Sequence, residues 1–398
     1  MTVTARILLP LILVLVIFTL SVHVVWADST AAGSSLGPVL PEEITFPPNP
    51  LTDWAASNNL RWFGWANGGY TWSSTGLGLL EVEPRENRFG QTWLLNQAAL
   101  VLERTLTPDW SWGFRAEFYM GADAALLRPV NGFGPDGRKF GTDFRQAYVS
   151  IHAPVLTEGG IDIKFGRQYV PLGYETTMAP YRPMYSLSYA WIYAENGAIA
   201  TFHVNPILDA IAGVTLGVNS LFKLIGRAPC YILRGLYSPN GQTKLVGTLY
   251  TGSRPIGSAE GHIGDWQTLV ELQASHDVNR WLTLVSENNF GWETRDPGNK
   301  SNTSQWYGTI GMGIIHVNRF LDANLRAEWF YDVDGSRIGT SAHYFEVTPG
   351  LNIMPTRWLN FRPEIRWDGA TKSVFGPETQ TSRKRDQWTF AFDMLLKF

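Results

Sequence analysis

The chain has 398 residues, of which 44% are hydrophobic and only 17% charged, with a formal net charge of −3. Its mean hydropathy of −0.09 excludes a bundle of membrane helices, since only one apolar run approaches the roughly 20 residues that a span needs. Aromatics at 13% exclude a disordered chain, and the balanced charge leaves no basic field to hold nucleic acid. Two classes remain, a large soluble β protein and a transmembrane β-barrel, because both average a greasy face with a wet one.

Residues 1–27 read as a secretory signal peptide for Sec export. Arg6 supplies the positive start, Ile7 to Leu20 the apolar core, and Val25-Trp26-Ala27 the cleavage site. A single membrane anchor is the rival reading. Residues 28–53 are rich in Ser, Gly and Pro and form a flexible lead-in, and 54–398 form the barrel domain. The single cysteine, Cys230, makes no internal disulfide, and no histidine pair has metal-ligand spacing, so no metal or cofactor is expected.

Beyond residue 53 the pattern has period two. Sixteen segments qualify: 60–72, 91–106, 109–121, 143–153, 159–169, 195–204, 208–219, 229–238, 242–252, 264–278, 280–294, 304–317, 320–333, 342–354, 357–369 and 387–398. The last is the cleanest. Its even positions, including Trp388, Phe390, Phe392 and Phe398, are all bulky and apolar over about the length of a tilted crossing. In 159–168, Ile161, Ile163 and Phe165 oppose Asp162 and Lys164, but Arg167 falls on the apolar side.

The connections alternate. Short ones carry Asn, Pro or Gly, as at Thr107-Pro108, Asn205-Pro206-Ile207, Pro239-Asn240-Gly241, Asn279, Asn318-Arg319 and Pro355-Thr356. Long ones include 73–90, 122–142, 170–194, 295–303, 334–341 and 370–386. This parity predicts an all-β, antiparallel up-and-down transmembrane barrel of about 16 strands, with short turns and both termini on the periplasmic side. Trp62, Trp65, Trp110, Trp112, Trp266, Trp281, Trp292, Trp306, Trp358, Trp367 and Trp388 fall near strand ends, where a headgroup girdle is expected.

On this pattern Arg115, Glu117, Lys164, Arg326, Glu328, Arg362, Glu364 and Arg366 face the lumen, because a charge in lipid costs about 2–4 kcal/mol at mid-membrane. Both signs are present. Ion pairing between neighbouring strands accounts for most of them, and charged rings that set selectivity are the functional alternative. No nucleophile elbow, phosphate loop or dinucleotide fingerprint occurs. A hydrolase site at the barrel rim would have to be assembled from residues such as His152, His343 and Asp143.

Three stretches resemble the OmpL-like family of β-barrel porins: Asn96-Gln97-Ala98-Ala99-Leu100-Val101-Leu102-Glu103-Arg104, Phe165-Gly166-Arg167-Gln168-Tyr169-Val170-Pro171-Leu172-Gly173-Tyr174-Glu175, and Glu195-Asn196-Gly197-Ala198-Ile199-Ala200-Thr201. The resemblance spans roughly 55 to 398 and implies an outer-membrane channel for small hydrophilic solutes, not an enzyme. The final strand with Phe398 resembles the signal read by the barrel assembly machinery. By analogy with general porins, the loop after the fifth strand is expected to enter the lumen, with Glu175, Tyr181, Arg182 and Tyr185 at a constriction. A barrel-borne hydrolase and a plugged structural or adhesive barrel are the rivals. A homotrimer is the candidate assembly.

Overall fold

In lipid every strand edge must be paired, so a period-two chain has one stable solution, a closed barrel. The computed structural model describes residues 50–75, 78–79, 89–129, 139–189, 194–218, 221–224, 228–253, 266–294, 303–376 and 383–398. The signal segment 1–27 and residues 28–49 of the lead-in lie outside the described residues.

The wall consists of β1 Leu60–Ser73, β2 Thr92–Arg104, β3 Ser111–Gly121, β4 Gly141–Ala153, β5 Ile161–Tyr169, β6 Ala194–Asn205, β7 Leu208–Val218, β8 Cys230–Asn240, β9 Thr243–Ser253, β10 Trp266–Asn279, β11 Leu282–Thr294, β12 Thr303–Asn318, β13 Leu321–Asp332, β14 Ala342–Thr356, β15 Leu359–Ala370 and β16 Asp386–Lys397. Each strand pairs antiparallel with its chain neighbours, and β16 pairs with β1 to close the ring. The seam extends past the last strand residue: Phe398 N–H donates to Gly64 O at 2.9 Å, and Gly64 N–H to Phe398 O at 2.6 Å. Ahead of the barrel stands a short helix, α1 Pro50–Ser57, so the last four residues of the expected flexible lead-in are helical. Pro50 suits a first helical turn, and Asp53 adds an acidic side chain there.

The asparagines of the short connections turn the chain. The side-chain oxygens of Asn205, Asn279 and Asn318 accept the N–H two residues on, from Ile207 (3.0 Å), Trp281 (2.8 Å) and Phe320 (2.8 Å). Asn240 does the same for Gln242 (3.0 Å) and also accepts from Thr243 (2.8 Å). These are Asx-turns, which reverse the chain in the fewest residues.

The outer face is greasy, as the pattern predicts: Trp388, Phe390, Phe392 and Phe398 are all exposed on it, as are Trp110, Trp112, Trp281 and Trp358. Two tryptophans depart from the girdle. Trp65 and Trp306 are buried on the inner side, in two apolar clusters. One joins Trp306, Phe330 and Tyr344 of the wall with Val170, Leu172 and Tyr189 of the loop after β5. The other joins Trp65, Val101 and Tyr119 with Met178 and Ala179 of that loop and Ala124 of a second helix, α2 Ala122–Leu126. The girdle expectation for these two is therefore corrected: the inner face turns apolar where loops pack on it.

Candidate functional site

Three strand irregularities aim polar side chains into the lumen. Asn96 is the extra residue of a bulge on β2 opposite Asn67 and Gly68, so Asn96 and Gln97 are both buried inside. Arg145 is the extra residue on β4 opposite Glu117 and Phe118, and both Arg145 and Gln146 are buried. On β5, Gly166 has φ +130°, and a Cβ there would lie 2.3 Å from Ala147 O. Only glycine fits this backbone. The kink redirects Arg167, which simple alternation sends to lipid, to within 2.7 Å of Asp143 Oδ2 in the buried interior.

These groups and the wall charges receive the loop 170–193, described up to residue 189. Wall carboxylates accept its main-chain N–H groups: Glu271 from Gly173 (2.7 Å), Glu287 from Tyr174 (2.6 Å), Glu364 from Tyr185 (3.0 Å) and Ser186 (3.1 Å), and Glu328 from Tyr189 (2.8 Å). Wall guanidiniums donate to its carbonyls: Arg326 to Ser186 O (2.8 Å), Arg366 to Leu187 O (2.8 Å), and Arg362 to Ala179 O (2.8 Å) and Arg182 O (2.9 Å). On the far wall, Gln97 donates to Thr177 O at 2.6 Å, and Asn96 to Tyr185 Oη at 2.8 Å. The loop thus crosses the lumen and is held mainly by its backbone, through hydrogen bonds to charged groups worth about 1.5–3 kcal/mol each.

The four loop residues singled out in the sequence all lie inside the barrel. Glu175 is buried, 2.6 Å from Arg326 Nη1, and also accepts Ser188 N–H at 3.1 Å. Arg182 is buried with its guanidinium 6.0 Å from the Tyr185 ring centroid. Burial, then the charge of Arg362, brings its pKa down to about 9. Tyr185 is buried, and burial pushes its hydroxyl up. Tyr181 is half-buried on the side of Arg115, pushed up to about 12 chiefly by burial.

The wall charges are mostly engaged. Arg115 holds Glu103 (2.8 Å) and Glu117 (2.6 Å), Arg326 holds Glu346 (3.0 Å), Arg362 holds Asp393 (2.9 Å), and Arg366 holds Asp368 (2.8 Å). Lys164 is only half-buried, 5.2 Å from the Tyr148 ring centroid. Exposure divides the lumen. On the inner face of β4–β8, Tyr148, Lys164, Thr201 and Ile211 are half-exposed, whereas Arg326, Arg362 and Arg366 opposite are buried.

A model of the family described as "Putative beta-barrel porin-2, OmpL-like" matches residues 59–398. The chain belongs to this family. It is a porin-like channel of the outer membrane, not an enzyme, for diffusion of small solutes. No curated protein sequence matches it. Solved structures share the fold. An anion-selective porin from Comamonas acidovorans is 11% identical with a TM-score of 0.61, covering 85% of this chain and 99% of its own. Pseudomonas putida OprB is 14% identical with a TM-score of 0.55, covering 88% and 96%. A trimer form of OmpT from Vibrio cholerae is 8% identical with a TM-score of 0.55, covering 85% and 99%. At such identities the likeness carries the fold alone.

The residues considered for a hydrolase site in this porin serve other ends. His152 bonds Asp162 at 2.7 Å, Asp143 binds Arg145 and Arg167, and His343 stacks on Tyr331 with centroids 3.9 Å apart. Asn96, Gln97, Arg145 and Arg167 were not among the sequence candidates. The one signal for them was a break in alternation, the polar pairs Asn96-Gln97, Arg145-Gln146 and Arg167-Gln168.

Proposed function

We propose that small hydrophilic solutes cross through the half of the lumen bounded by β4–β8, with the loop 170–193 as the element that narrows it. The contrast in exposure between that wall and the arginine-lined wall opposite carries this reading. Tyr181 stands at the loop's less buried edge, beside Arg115, while Glu175, Arg182 and Tyr185 hold the loop in place behind it. Lys164 then meets the permeating solute, and the filter is steric and electrostatic. The signal features of residues 1–27 support Sec export, and the trimer form of OmpT supports a homotrimer.

Lys164→Glu tests the route. It reverses one charge on the wet wall without touching the loop's anchors. In planar bilayers under a salt gradient, the reversal potential is expected to move toward cation preference. An unchanged reversal potential places the path elsewhere.

A further inference from the structure

At the short-turn end of the lumen, two histidines sit in matching arrangements on opposite sides of the mouth. On β6, His203 Nδ1 faces Asp209 Oδ1 of β7 at 3.0 Å, and its Nε2 faces Asp162 Oδ2 of β5 at 3.4 Å. His152 of β4 reaches the other oxygen of Asp162 at 2.7 Å. On β12, His316 Nδ1 faces Asp322 Oδ1 of β13 at 2.9 Å, and its Nε2 lies 3.3 Å from Thr283 Oγ1 of β11. Thr283 in turn donates its one hydroxyl proton to Asp277 Oδ1 of β10 at 2.6 Å.

Its partners fix the form of the His203 ring. A carboxylate only accepts, so both nitrogens of His203 must donate. The arrangement is complete only with a doubly protonated, positive ring. Asp162, Asp209 and the His203 ring then sum to one negative charge, and to two when the ring loses its proton, while Asp277 and Asp322 add carboxylates on the other side of the mouth. His203 and His316 have side chains 32% and 42% exposed, so a passing ion meets them. By alternation both share the inner face, His316 with the buried Met312 and Ile314, and His203 with Ile199. The other charges near these turns are Glu158, which is exposed beside the β4–β5 turn, Lys244, which is exposed on β9 opposite Ser275 and so on the same face as Asp277, and Arg280 and Arg319, which lie over Trp281 (5.4 Å) and Phe320 (4.4 Å).

We propose that this mouth is a second selectivity site of the channel, specific for inorganic cations and set by the proton on His203. It rests on the channel reading above but not on the loop. Histidine changes charge between about pH 5 and 8, so the mouth becomes more negative as the pH rises.

The test uses the full chain in planar bilayers under a KCl gradient. Its cation-over-anion permeability ratio is expected to rise roughly twofold from about pH 5 to about pH 8. The variant His203→Gln is expected to lose most of that rise while keeping its heat-modifiable gel mobility. Should that variant not fold, Asp209→Asn with Asp322→Asn is expected to lower the ratio at about pH 8. A current whose pH dependence survives the histidine substitution, or a ratio unmoved by the aspartate ones, overturns this inference alone. Absence of any current overturns the channel reading and this inference with it.

Discussion

Arg326→Ala is expected to raise single-channel conductance and to expose the loop 170–193 to protease. The guanidinium is fully buried and joins four groups: Glu346, Glu175, Ser186 O and Ser186 Oγ. Its removal strands two carboxylates that are themselves buried. Breaking a buried pair this way costs about 3–5 kcal/mol. The wall strand β13 keeps its register with β12 and β14, since barrel closure depends on main-chain bonds that the substitution leaves alone. The loss therefore falls on the docked loop rather than on the barrel. Heat-modifiable mobility should stay near wild type while larger sugars gain entry. A variant that unfolds outright, or one with unchanged conductance and protease resistance, contradicts this assignment of the loop.

Gly166→Val acts on the barrel itself. The backbone at φ +130° strains any L side chain by about 1–3 kcal/mol, and the added Cβ meets Ala147 O at 2.3 Å. Relief requires β5 to return to plain alternation, which sends Arg167 toward lipid at about 2–4 kcal/mol near mid-membrane. Asp143 then loses its 2.7 Å partner. Urea titration of the refolded barrel, followed by gel mobility, should show a much lower midpoint or no folded band. Phe165→Val, one residue away on the exposed outer face, should fold normally. Equal stability of the two variants contradicts the account of the kink.

The strands were legible because lipid leaves a chain few choices. The segments of β1 to β16 alternate in sequence apart from the breaks on β2, β4 and β5, and the asparagines of the short connections turn as their side chains dictate. The parity of short and long connections fixed the barrel's two ends. The interior was less legible, for physical reasons. Bulges at Asn96 and Arg145 add one residue to one strand only, and a period-two pattern read strand by strand does not register that. Trp65 and Trp306 face inward because loops from distant positions cover them, and nothing local in the sequence marks a tryptophan as loop-covered rather than girdle-forming. The loop could be placed in the lumen by likeness to porins, but its anchoring could not be read. The groups that hold it are its own main-chain N–H and C=O, which every sequence has. Their partners Glu271, Glu287, Glu328 and Glu364 look like any lumen-facing carboxylates.

The central claim is a water-filled passage beside a loop that restricts it, and liposome swelling with sugars of graded size measures it most directly. The folded wild-type barrel is expected to pass the smallest sugars and to exclude progressively larger ones at a sharp limit. No swelling with any sugar, from protein shown by heat-modifiable mobility to be folded and inserted, would contradict it.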